Sequence, residues 1–168
     1  LLIISLLLIQ SQVHANLTLE EKVRLLYQED GESEKADKFI TELTDFCTSL
    51  EKYRDLAPKK KVKKIFVATK STFLRRYKLR THFSEIGSFD TYNCVTGSAL
   101  LAIIFDELDI PYAVVEVPRH VYLIAYPTSY AIGVESTDLK DGVYYWTEYN
   151  KRQAVSFLIA TEEVSERE

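Results

Sequence analysis

The sequence predicts an α+β fold: a helical N-terminal half, then a central buried helix starting at Cys94 and packed on an antiparallel sheet. Three observations predict it. Apolar residues recur at helical spacing between Leu19 and Leu74. The stretch from Cys94 to Leu108 is apolar on most sides, the mark of a helix buried all round. Beyond Pro111 the pattern changes to short runs rich in Val, Ile and Tyr with turn residues between them, which reads as strands. The chain has 168 residues, 46% hydrophobic and 27% charged, enough for one domain with a real core.

Each element has a local reason. Asn16 to Gln28 reads as helix, with Thr18 and Glu21 at capping-box spacing and a stripe of Leu19, Val23, Leu26 and Tyr27. Asp30-Gly31-Glu32-Ser33 breaks it, and Ser33 or a neighbour is expected to cap a second helix over Glu34 to Tyr53. Its stripe is Ala36, Phe39, Ile40, Leu43, Phe46, Cys47 and Leu50. Pro58 suits a first helical turn, so a third helix is expected from there to about Tyr77. Leu79 to Asn93 reads as a loop holding at most a short turn. Strands are expected over Tyr112–Val117, His120–Tyr126 and Tyr130–Glu135. Asp141-Gly142 reads as a hairpin turn joining Ser136–Lys140 to Val143–Trp146.

The organisation expected is a signal peptide over 1–15, a helical region over 16–90, a core over 91–160 and an acidic tail over 161–168. Leu1 to Ile9 is an apolar run broken only by Ser5, followed by Val13-His14-Ala15 at a small-residue cleavage position. A bilayer span needs ~20 apolar residues, and this run is shorter. With no Met in the chain, the start is expected upstream of Leu1. The expected location is exported, periplasmic or secreted, with no stable membrane span.

The net charge of −4 argues against nucleic acid as a partner, because phosphate binding needs clustered Lys and Arg. Lys59, Lys60, Lys61, Lys63 and Lys64 do cluster, and read first as a solvated helix face. The two cysteines, Cys47 and Cys94, could pair in an exported protein. Cys47 otherwise reads as a small apolar residue on a helix face.

The chemistry rests on order along the chain. Cys94 stands at a helix start, where free N–H groups and the helix dipole favour the thiolate, the nucleophilic form. The same N–H groups, with the Asn93 side chain, are expected to hold an oxyanion. His120 opens a strand and Glu135 ends the next. With the tightest turn around Pro127-Thr128 the two lie directly opposed, about 5 Å apart at Cβ. A loop one residue longer opposes His120 to Ser136 and turns Glu135 to the other face. A loop two residues longer opposes it to Thr137 and leaves Glu135 diagonal on the same face. Asp138 is an alternative acid and Glu116 a weaker one. His82 is the second-choice base. Tyr122, Tyr126, Tyr130, Tyr144, Tyr145 and Trp146 read as cross-strand packing, or as the lining of a cleft. No cluster has metal-ligand spacing, so neither metal nor cofactor is expected.

These residues resemble a known family. The runs Thr91-Tyr-Asn-Cys-Val-Thr-Gly-Ser-Ala-Leu, Leu108-Asp-Ile-Pro-Tyr, Val117-Pro-Arg-His-Val-Tyr-Leu and Gly133-Val-Glu-Ser-Thr-Asp138 resemble the core of the transglutaminase-like superfamily. The resemblance covers about Tyr92 to Asp138. It implies a papain-like arrangement with Cys94 as nucleophile, His120 as general base and Glu135 as orienting acid. The pattern departs from the usual one in three ways. Glu stands where Asp is common, Asn precedes the cysteine, and no aromatic directly precedes His120. The implied function is a thiol acyltransferase or an amide or peptide hydrolase working through a thioester on a peptide or protein substrate. Inactive members of the superfamily imply the other expectation, a non-catalytic domain binding a peptide or cell-wall ligand.

Overall fold

The computed structural model describes residues 17–138 and 142–146, and the chain is α+β. The proposed leader and acidic tail lie outside the described residues. Helix α1 runs Leu19–Glu29 and α2 Ala36–Leu50, with single 3-10 turns at Ser33–Lys35 and Glu51–Tyr53 on either side of α2. Helix α3 runs Pro58–Thr72, α4 Ser84–Phe89 and α5 Cys94–Glu107. Strands β1, Arg76–Tyr77, and β2, Thr91–Tyr92, form a two-residue parallel pair. Strands β3, Tyr112–Val117, β4, His120–Ala125, β5, Ile132–Val134, and β6, Val143–Tyr145, form an antiparallel sheet in chain order.

Helix starts follow local chemistry. The Thr18 hydroxyl accepts the Glu21 N–H, and the Glu21 carboxylate takes the Thr18 N–H, closing the expected capping box. Pro58 sits at the first position of α3, as expected. The cap expected from Ser33 or a neighbour is absent: neither the 3-10 turn nor α2 has a side-chain cap. Helix α3 also stops five residues short of Tyr77. Phe73 and Leu74 leave the helix to bury themselves in the core, and the chain then extends into β1 beside β2. The expected loop before Cys94 therefore holds a helix and a strand.

The hairpin expected from Ser136–Lys140 is corrected as far as it is described. Val143 to Tyr145 pairs with Ile132 to Val134, not with Ser136 onward. The cause is local. The Glu135 carboxylate accepts both the N–H (3.0 Å) and the hydroxyl (2.7 Å) of Thr137. That folds Ser136–Thr137 into a turn. Leu139, Lys140 and Asp141, which belong to that expectation, lie outside the described residues.

One apolar cluster runs from Leu19 to Val143, so helices and sheet share a core. Leu123, Ala125, Ile132, Val134 and Val143 are buried, with α5 packed against β4 and α3 against β6. Alternation places Tyr122, Gly133 and Tyr144 on the other face. Among the described residues, no helix is long and apolar enough to cross a membrane.

Candidate active site

Cys94 is the first residue of α5, and Asn93 is its cap. The Asn93 Oδ1 accepts the N–H groups of Val95 and Thr96, each at 2.9 Å. The Thr96 hydroxyl accepts the Asn93 N–H at 3.0 Å, and Asn93 Nδ2 donates to Leu79 O at 3.2 Å. A cap of this kind stabilises a helix by about 1 kcal/mol. It also occupies part of the Asn93 side chain. Oδ1 is taken by the helix start and one Nδ2 hydrogen by the Leu79 carbonyl, which leaves the second Nδ2 hydrogen for an oxyanion. The N–H groups of Val95 and Thr96 are spent on Oδ1. Of the first three helical N–H groups, Asn93 leaves the one on Cys94 untaken.

The helix start abuts the strands that carry the imidazole and the acid. The Ser98 hydroxyl donates to Val121 O at 3.2 Å. A Cβ on Gly97 would stand 2.9 Å from Ser136 Oγ and 3.1 Å from the Tyr92 ring, so only glycine lets the helix approach this closely. Val121 and Ser136 are the chain neighbours of His120 and Glu135. Cys94 lies three and four residues before Gly97 and Ser98, on their helix face and one turn nearer its end. The thiol is half-buried there.

His120 Nε2 is hydrogen-bonded to Glu135 Oε2. The expected pairing of these residues is present, but not in the register taken as simplest. Ala125 pairs with Ile132 and Leu123 with Val134, so continuing the ladder opposes His120 to Thr137 and puts Glu135 on the diagonal. This is the longest of the three loops considered. The bend from 126 to 131 is opened by Tyr126 (φ 51) and Ala131 (φ 47) in the left-handed region. The Tyr126 carbonyl takes the N–H groups of Ser129, Tyr130 and Ala131.

The pair is electrostatically coupled. The hydrogen bond to Glu135 raises the His120 pKa above its ordinary 6.5, against the opposing effect of burial. Burial by itself would push the Glu135 carboxyl up. Hydrogen bonds from His120 and from the hydroxyl and N–H of Thr137 outweigh it, and the net shift is downward. With Nε2 committed to the carboxylate, Nδ1 is the ring nitrogen left to exchange a proton with a reacting group. The ring stacks on Tyr122 at 6.1 Å, and Tyr122 packs on Trp146 at 5.0 Å. Burial, then the charge of Glu135, pushes the Tyr122 hydroxyl up to about 12.

The remaining candidates have contacts of their own. Among the described residues, no hydrogen bond joins Cys94 Sγ to His120. Both cysteines are free, which removes the disulfide reading. Burial, then Glu107, pushes the Cys47 thiol up to about 12. The Asp138 backbone carbonyl accepts from Lys70 Nζ, while His120 takes Glu135. Glu116 is exposed on β3. His82 is exposed and bonds Asp30 at 3.1 Å, joining the ends of α1 and α4. The tyrosines divide as well. Tyr122, Tyr144 and Trp146 form one aromatic group, Tyr126 and Tyr130 meet at the bend, and Tyr145 lies under Lys59. Among the described residues, no group of three or more His, Cys, Asp or Glu side chains could hold a metal ion.

What residue types alone did not reveal is the structural part of the site: Gly97, Ser98 and Thr137. The spacing Asn93-x-x-Thr96 does signal a helix cap. Compared with family models, curated proteins and solved structures, the chain matches none.

Proposed function

We propose that this chain is a transglutaminase-like, exported thiol acyltransferase or amide hydrolase, with Cys94 as nucleophile, His120 as acid and base, and Glu135 as the group that orients the ring. The observation that carries the reading is the His120–Glu135 hydrogen bond at the strand ends met by the first turns of the Cys94 helix. A carboxylate held on Nε2 fixes the tautomer and supports the imidazolium, the arrangement a thiol nucleophile needs from its partner.

The steps balance as follows. The Cys94 thiolate attacks the carbonyl carbon of a carboxamide or peptide, and the carbonyl π electrons move to oxygen. The N–H of Cys94, which Asn93 leaves untaken, donates to that oxygen. The tetrahedral intermediate collapses, the C–N bond breaks, and the imidazolium gives its Nδ1 proton to the leaving amine. A thioester remains on Cys94. Water or a second amine then attacks it while Nδ1 takes the proton, and the thiolate leaves. Hydrolysis and transfer differ only in this last nucleophile.

A second reading is a non-catalytic domain binding a peptide or cell-wall ligand, favoured by the absence of a hydrogen bond from Cys94 Sγ to His120. One experiment separates the two. Mixed with a p-nitrophenyl ester, the enzyme is expected to release a burst of p-nitrophenol and to carry the acyl group on Cys94 by mass spectrometry. Cys94→Ala is expected to show neither. An unmodified Cys94, or a burst that survives Cys94→Ala, contradicts the catalytic reading.

A further inference from the structure

Helix α3 carries a charge pattern that the site does not use. Lys59, Lys60, Lys61, Lys63, Lys64 and Lys70 are six of its residues, and it has no acidic residue. Val62, Ile65, Phe66 and Thr69 face the core. Lys60, Lys63, Lys64 and Val67 are exposed, and their spacing of three and four residues makes one row along the solvent side. The row spans roughly 10 Å of helix. Lys59 is held beside it over the Tyr145 ring, 4.1 Å from its centre.

This arrangement works against the helix itself. Lys60 and Lys64, like Lys59 and Lys63, are like charges four apart, which repel. Three of the lysines stand in the first turn, at the positive end of the helix dipole, and no side chain caps that end. The Glu51 carboxylate, whose field reaches Lys61, is held by Arg54 at 2.7 Å. The chain as a whole is net negative, while this helix carries six lysines and no acid.

We propose that the solvent face of α3 docks on an anionic lipid surface. Charge complementarity points to a polyanion, and the shape points to a bilayer. The row is the convex side of a helix rather than a groove. Val67, 54% exposed, lies in the row among the lysines, where an interface accepts an apolar side chain as well as cations. The helix contains no Arg and exposes no aromatic ring, the usual means of gripping nucleic acid strands.

The test is co-sedimentation of the full chain with vesicles of phosphatidylcholine, with or without about 30% phosphatidylglycerol. Binding is expected only to the anionic vesicles, and to fall steeply between about 0.05 and 0.5 M salt. The triple variant Lys60→Gln, Lys63→Gln, Lys64→Gln is expected to bind on the order of a hundredfold more weakly. The double variant Lys38→Gln, Lys52→Gln, exposed lysines off this helix, is expected to lose far less. Circular dichroism identifies any variant that fails to fold, and single Lys60→Gln and Lys64→Gln changes then replace the triple. Equal binding to neutral vesicles, no binding at low salt, or equal losses in the two sets of variants would overturn the proposal. So would retention on immobilised polyphosphate without vesicle binding, which marks a soluble polyanion instead.

Discussion

Replacing Glu135 by Gln is expected to slow acylation of Cys94 by about 10²- to 10⁴-fold, with the fold intact. The amide keeps the volume and can still meet the ring, but it carries no charge. The imidazolium loses the partner that raises its pKa, and Nε2 loses the acceptor that fixes the tautomer. Stability tells the same story with a definite sign. The raised His120 value makes the contribution full below the ordinary 6.5 and lost as pH rises through the folded value. The lowered Glu135 value makes it full above the ordinary 4.5 and lost as pH falls through the folded value. These are two views of one interaction. The gap in Tm between wild type and Glu135→Gln is therefore expected to be widest between about pH 4.5 and 6.5, and to narrow on the alkaline side. An unchanged acylation rate would assign the carboxylate to packing alone.

The second large effect is expected from backbone packing beside the acid. Gly142→Ala is expected to destabilise the fold by about 1–3 kcal/mol, a fall in Tm on the order of 5 °C. A Cβ there would press on the Glu135 carbonyl oxygen and stand 2.5 Å from Phe66 Cζ. The first is backbone and cannot swing aside. The Glu135 N–H donates to the Gly142 carbonyl at 2.7 Å, so relieving the clash moves the strand that holds the acid. Acylation of Cys94 is expected to fall along with Tm. A variant as stable and as active as wild type would show that this strand position yields without cost.

How far the site was legible depends on which interaction sets each feature. The His120–Glu135 meeting was legible because strand alternation preserves faces over two of the three loops considered. Its register was not, because the bend from 126 to 131 rests on Tyr126 and Ala131 at positive φ. Neither is Gly or Asn, so Pro127 signals a turn but nothing marks the two residues that set its length. The α5 start at Cys94 was legible from its apolar run. The capping role of Asn93 is written in its spacing to Thr96. The pairing of Arg76–Tyr77 with Thr91–Tyr92 left no periodicity, since two residues are too few to show one. The end of α3 carries neither Gly nor Pro. It is set by Phe73 and Leu74 reaching the core, a tertiary preference that local pattern does not encode.

The central claim is that thiol and imidazole form one titrating unit. NMR titration of the His120 ring, in wild type and in Cys94→Ala, measures it directly. If the sulfur and Nδ1 share a proton, the ring resonances in the wild type follow two coupled steps, and removing the thiolate lowers the upper midpoint. A single titration curve, identical in the two proteins, would mean that Cys94 and His120 do not act together.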